Sequence, residues 1–264
     1  MIQHNWVLLK TLPRVLRARD YHLYLENGKR LTDLWLCGGK AILGHKPPLV
    51  LKELKNAAER GLFSPLPHPL EGRFLKALGA LFPNRAFRLY SNEASLYEAL
   101  ERAALERAAL SENAPFWRPF LDAEEEAAIV KAPLFIPVLP CPLGPEALVL
   151  DKSAEASFPQ SELISPVLLA AATRSLYNLA AEIKAGKRER FVKIGKALLN
   201  SAWKRRGIYL TIDIETTQYE ALFRRFLEGG FLLPPSLLEP AILPPFMSPG
   251  EEAKLADLLG DKAF

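Results

Sequence analysis

Three kinds of side chain in this sequence could do chemistry. Histidines at 4, 22, 45 and 68 are the candidates for proton transfer near neutral pH. His45 stands directly after Gly44 and could serve as a base. Cys37 and Cys141 lie far apart, which is neither a disulfide framework nor a metal pair. Both are expected as buried thiols of a reducing cytoplasm. The basic clusters Lys184–Arg190 and Lys204–Arg206 could touch nucleic acid. Acidic and apolar residues interrupt them and no aromatic platform accompanies them, so solvated helix faces are the expectation.

Something must position these groups, and the composition can supply it. The chain has 264 residues, 49% apolar and 24% charged, with 14 Phe, 7 Tyr and 4 Trp. That is enough for one large or two modest cores and excludes a mainly disordered chain. No apolar run approaches the roughly 18 residues that span a bilayer. The stretch Trp6–Leu9, broken by Lys10, is too short for a signal h-region, so a cytoplasmic location is expected. Residues 1–60 hold 11 Lys/Arg against 5 Asp/Glu, residues 61–165 hold 9 against 14, and residues 166–264 hold 14 against 11. The two ends are alike in charge and unlike the middle, which suggests that the ends share a domain.

Tyr21–Leu36 reads as a hairpin around Asn27-Gly28, with a type I′ turn expected. A glycine-punctuated loop follows, and Pro48 opens a helix that Gly61 stops. Leu70–Leu81 reads as an amphipathic helix, Phe87–Tyr90 as a strand, and Glu98–Leu110, with its ERAAL tandem, as a charge-supported helix. LFIPVL and ALVL are buried-strand candidates between residues 111 and 165. Beyond them come a long helix from Ser165-Pro166, a second over RERFVKIGKALLNSAWKR, and the alternating strand IYLTIDIE. Capping boxes at Thr217/Glu220 and Ser248/Glu251 open the last two helices.

Several of these stretches together resemble one family. YLENGKRLTDLWLCGGKAILGHKPPLVLKELKNAAERG resembles the N-terminal segment of class III pyridoxal-phosphate-dependent aminotransferases of fold type I, with Gly28, Asp33, Gly44, His45 and Pro48 in register. LEGRFLKALGALFPNRAFRLYSNEASLYEAL resembles the stretch that follows, and ISPVLLAAATRSLYNL, RRGIYLTIDIE, LEGGFLLPP and ILPPFMSPGEEAKLADLL resemble its C-terminal part. The resemblance implies an α/β fold, truncated relative to fold type I. An α+β small domain would come from both chain ends, with a reduced central remnant of the large domain. The corresponding divisions are 1–68, 69–164 and 165–264. It also implies a dimer, with itself or with a related protein, and a structural role for His45 at a helix start.

The departures from the family pattern concern catalysis. The stretch between SNEAS and Ser165 is too short for the family's large sheet. At Ser91-Asn92-Glu93-Ala94-Ser95, where the family cradles the cofactor phosphate on backbone N–H groups, the glycine is absent and Glu93 brings a carboxylate. Ser91 and Asn92 are therefore either cofactor contacts or a plain helix cap. Asp151, ending ALVLD, resembles the aspartate that meets the pyridine nitrogen, but Lys152 follows it. Lys131 is the candidate for the aldimine lysine, without the family's glycines; Lys152 is the other. Ser161 falls near the threonine that reaches the phosphate, and Ala241 falls on the arginine that clamps substrate carboxylate.

Two readings dominate. One is a catalytically inactive aminotransferase homologue that acts as a binding or assembly scaffold without cofactor. The other is a minimal pyridoxal-phosphate enzyme rebuilt from Lys131 or Lys152, Asp151, Asn92 and Ser91. A basic nucleic-acid binder is a distant third, and no membrane or metal partner is expected.

Overall fold

The computed structural model describes residues 6–106, 114–186, 191–199 and 201–261. His4, the end of the ERAAL tandem and the Lys187–Arg190 part of the basic cluster lie outside these residues. The chain divides into two compact units, one of residues 47–184 and one combining residues 2–46 with 185–264.

In chain order, the described elements begin with a helical turn, α1 (Trp6–Leu9), and three strands, β1 (Val15–Arg19), β2 (His22–Leu25) and β3 (Arg30–Asp33). The middle holds α2 (Val50–Glu59), α3 (Leu70–Leu81), β4 (Arg85–Tyr90), α4 (Glu93–Glu106), β5 (Phe116–Trp117), α5 (Ala123–Val130), β6 (Leu134–Pro137), β7 (Glu146–Asp151) and α6 (Pro166–Ala185). The rest comprises α7 (Val192–Leu198), β8 (Trp203–Arg206), β9 (Tyr209–Ile212), α8 (Thr216–Glu228), β10 (Phe231–Leu232), β11 (Ala241–Ile242) and α9 (Pro249–Gly260).

The unit built from both ends carries two small sheets. In the order β1-β2-β3-β10, the first three strands are antiparallel and β10 joins β3 in parallel. An N-terminal and a C-terminal segment thus share one ladder. Strands β11, β9 and β8 form the second sheet. The alternation of Tyr21, Leu23 and Leu25 buries those three side chains on one face of β2 and its entry.

Three local expectations change here. Gly28 alone takes a positive φ (+78°), so the β2–β3 turn is not type I′. Asn27 instead accepts the N–H of Lys29 through its side chain (3.1 Å), which closes a four-residue loop with one left-handed position. The RERFVKIGKALLNSAWKR stretch is not one helix. Trp203–Arg206 pairs with β9, and buried Trp203 packs against Phe226 at 5.6 Å, so sheet pairing overrides local helix preference. The helix after β9 starts at Glu215, not Thr217: the N–H of Glu215 donates to Gln218 Oε1 (3.3 Å), a box of the same spacing two residues earlier.

In the 47–184 unit the sheet order is β4-β7-β6-β5. Strand β7 runs antiparallel to both β4 and β6, while β5 and β6 are parallel. Helix α4 covers one face, where Leu96, Ala99, Leu100 and Ala103 pack on Ala86, Leu134, Leu148 and Leu150. Elsewhere in the core, buried Phe82 meets Trp117 and Phe135 edge-to-face at 4.9 and 5.1 Å. A separate cluster joins α2 to α6 through Ala57, Val167 and Ala170, with Leu54, Leu62 and Leu70 around it.

Candidate functional site

The residues that resemble a cofactor cradle lie where β4 turns into α4. The first turn of a helix leaves N–H groups without intrahelical acceptors, so each must find a partner. Asn92 supplies one: its Oδ1 accepts the N–H of Ser95 (3.0 Å), and its Nδ2 donates to Ser91 Oγ (3.0 Å). The N–H of Ser91 donates to Glu162 Oε2 (2.8 Å). Asn92 is thus the cap of α4, and the anion that a helix start attracts is already present as the Glu162 carboxylate.

Glu162 is held there by its own backbone. Its N–H donates to the carbonyl of Leu89 (2.9 Å), and the N–H of Leu89 donates to Ser161 Oγ (3.0 Å). Ser161 and Glu162 therefore satisfy the outer edge of β4, whose other edge pairs with β7. Partial burial pushes the Glu162 carboxyl up, but hydrogen bonds from the Ser91 hydroxyl, the Ser91 N–H and the Ser95 hydroxyl outweigh it. The carboxyl titrates below its ordinary value. The neighbouring Tyr90 phenol is raised to about 12, first by burial, with Arg88 opposing and Glu162 adding to the shift. Its hydroxyl is buried without a hydrogen-bond partner.

A phosphate dianion at this turn would meet a carboxylate on the same N–H, with no glycine to let it approach. The residues present do not fit the phosphate of pyridoxal phosphate.

Asp151 lies elsewhere. In the β4–β7 register Arg85 faces Asp151 and Tyr90 faces Glu146. Five residues of strand separate Asp151 from the Ser91 end, on the order of 16 Å. Asp151 pairs with Arg85, which also donates to the carbonyls of Val130 and Ala132, the latter at 2.8 Å. Lys131, exposed, caps the C-terminal end of α5 near that same strand end. One groove of about 640 Å³ does bring together Lys152 and Ser161, along with Arg85, Arg88, Glu155 and Gln160. Both arginines there are engaged, Arg88 with Glu155 at 2.7 Å.

In the other unit His45 Nε2 lies 2.9 Å from Asp33 Oδ2. Asp33 is 2% exposed, and its Oδ1 accepts the N–H groups of Trp35 and Leu36 (2.8 and 2.9 Å). The N–H of His45 donates to the carbonyl of Asp20 (2.8 Å). The ring of His45 is thus tied to the end of β3 and its backbone to the turn between β1 and β2, and Gly44 (φ +83°) is needed because a Cβ there would sit 2.9 Å from the Asp20 carbonyl oxygen. Ala241 is a buried member of β11 opposite Leu210. Cys37 and Cys141 are not joined in a disulfide; Cys141 is buried as expected, while Cys37 is only half-buried. Among the described residues no group of three His, Cys, Asp or Glu side chains could hold a metal ion, and no helix is long and apolar enough to cross a membrane.

Glu162 is the residue that sequence reading misses. Its stretch carries neither periodicity nor a motif, and only the return of the chain along β4 gives it a role.

No family model matches the chain. It is 26% identical over 283 residues to an uncharacterized protein of Treponema pallidum, covering 90% of this chain and 91% of the relative. It is 27% identical over 257 residues to an uncharacterized protein of Borreliella burgdorferi, covering 92% and 89%. Among solved structures it is similar to ornithine δ-aminotransferase of Plasmodium falciparum, with TM-score 0.68, 12% identity, and 94% and 92% of the two chains covered. It is also similar to acetylornithine aminotransferase of Elizabethkingia anophelis, with TM-score 0.65, 11% identity and 98% of both chains covered. At such identity the likeness establishes the fold: a mixed α/β architecture of the aminotransferase type.

Proposed function

We propose that this chain uses an aminotransferase-like fold, with a reduced cofactor domain, as a binding or assembly scaffold and does not run pyridoxal-phosphate catalysis. The observation that carries the reading is the Glu162 carboxylate on the Ser91 N–H, at the helix start where a cofactor phosphate would have to bind. The distance between Ser91 and Asp151 along β4 and β7, and Ala241 in the place of a carboxylate-binding arginine, support it.

We further propose that the scaffold pairs with a second copy or a related chain, and that it works in the cytoplasm. Phe63, Leu66, Leu143 and Leu163 in the 47–184 unit are 64%, 60%, 69% and 47% exposed, apolar surface that a partner would cover. Sedimentation of the full chain at high concentration tests this: a dimer is expected, and a monomer overturns self-association.

One observation favours the alternative, a minimal enzyme with a rebuilt site. Lys152 and Ser161 line one groove with two arginines, an amine beside cationic and hydroxyl groups. The deciding experiment is a visible spectrum with added pyridoxal phosphate, before and after borohydride, followed by peptide mapping. The scaffold reading expects no aldimine band or scattered labelling of surface lysines. A reducible band confined to Lys152 or Lys131 overturns it.

A further inference from the structure

A second groove in the 47–184 unit has the opposite character. It lies between α3 and α6, with Glu53 of α2 at its margin, and has a volume of about 530 Å³. Arg73 and Lys76 reach it from α3, and Arg174 from α6. The spacing explains the convergence. Leu70, Arg73, Ala77 and Ala80 recur at three- and four-residue steps along one face of α3, and Ala170, Thr173, Arg174 and Tyr177 do so along α6. Small alanines on both helices leave the space that the long cationic side chains border.

None of these three cations has a salt-bridge partner among the described residues. Arg174 is the informative one. It is half-buried, and its Nε is fully covered without a hydrogen-bond partner. The Nε of Arg88 is covered in the same way, so what sets Arg174 apart is that its charge has no ion-pair partner among the described residues. The neighbouring Thr173 hydroxyl donates to the Leu169 carbonyl (2.6 Å). Three cations and the single Glu53 carboxylate leave the lining with an excess of two positive charges. The remainder is apolar, through Leu70 and the alanines, with the half-exposed Tyr177 ring at the side.

We propose that this groove binds a small organic phosphomonoester. The phosphate dianion sits against the cationic heads of Arg73, Lys76 and Arg174, and the apolar body lies on Leu70 and Ala170. The charge excess matches a dianion, and a guanidinium fork matches phosphate oxygens. The volume is that of a small-molecule site. A polyanion such as nucleic acid needs a longer cationic stripe than one groove between two helices offers. The proposal is independent of the scaffold reading, since it uses neither Ser91 nor Lys152, and its readout is not an aldimine.

The test is calorimetric titration of the full chain with phenyl phosphate, with inorganic phosphate and with phenol. Phenyl phosphate is expected to bind most tightly, because it alone offers both the dianion and the apolar body. Arg174→Gln should weaken it by about tenfold or more, the loss of one charge-assisted contact. Arg174→Lys should recover part of the affinity, and Lys204→Gln, in a basic cluster of the other unit, should leave it unchanged. Thermal midpoints without ligand check that each variant folds; Arg73→Gln, at an exposed position, serves if Arg174→Gln does not. The proposal is overturned if phenyl phosphate gives no heat up to about 10 mM, or if Lys204→Gln and Arg174→Gln lose affinity equally. A lipid-borne phosphomonoester is the other source of this chemistry. Co-sedimentation with phosphatidic acid vesicles that Arg174→Gln abolishes, without phenyl phosphate binding, would overturn the small-molecule assignment.

Discussion

Two grooves of the 47–184 unit are both bordered by arginines, and they differ in what those arginines already hold. Along β4, Arg85 holds Asp151 and two carbonyls, and Arg88 holds Glu155. Between α3 and α6, Arg73, Lys76 and Arg174 hold no carboxylate among the described residues, although Arg88 and Arg174 alike have a covered Nε without a hydrogen-bond partner. The first set is structural, since its charges are spent inside the fold. The second is available to a ligand. The same distinction separates the α4 helix start, filled by Glu162, from a working phosphate cradle. Cationic or N–H-rich surface is therefore not evidence of a site until its internal partners are counted.

This comparison can be broken by substitution, and the largest effect is expected at Arg85. Arg85→Ala strands the Val130 and Ala132 carbonyls and unpairs Asp151, so it should cost about 2–3 kcal/mol. Urea denaturation checks this, and a loss below about 0.5 kcal/mol would show that the β4 arginines are as free as those of the other groove.

Glu251 offers the next effect, as a filled carboxylate in the other unit. It accepts from His22 (2.9 Å), Arg30 (2.9 Å), Thr32 (3.3 Å) and Ser248, tying α9 to β2 and β3. Burial raises its carboxyl, but hydrogen bonds from Ser248 and His22, with the His22 charge, hold it at about 2, below the ordinary 4.5. A depressed folded value means that its stabilisation is present above pH 4.5 and is lost as pH falls toward about 2. Glu251→Gln should therefore lower the urea midpoint at pH 6 and flatten its decline over that window. Glu162 is depressed in the same direction, so Glu162→Gln should flatten the decline too.

A smaller loss is expected for Asn92→Ala, which removes the α4 cap and should cost about 1 kcal/mol without changing any cofactor-dependent signal. The smallest belongs to the open groove. Arg174→Gln should shift unligated stability by less than about 0.5 kcal/mol, because no partner among the described residues is lost. A shift as large as that of Arg85→Ala would remove the contrast between the grooves.

Much of the fold was legible because its causes are local. Ser248 and Glu251 form their box as spacing alone requires, with both hydrogen bonds present at 3.0 and 3.3 Å. The apolar faces of α3 and α6 and the alternation of β2 follow from periodicities of 3.6 and 2. The strand-to-helix turn at Ser91-Asn92 was legible as a cap. Trp203–Arg206 was not legible as a strand, because its neighbours favour helix and only pairing with β9 outweighs them. Glu162 was not legible at all.

The sequence by itself therefore determined the elements, their caps and the resemblance to an aminotransferase scaffold, since these rest on contacts within a few residues. Tertiary structure alone decided which charges are neutralised and which remain available. Glu162 reaches the N–H of Ser91 across 71 residues, Arg85 reaches Asp151 across 66, and Arg174 has no ion-pair partner among the described residues. Pairing over such separations depends on where the chain returns after collapse, and no local periodicity encodes it.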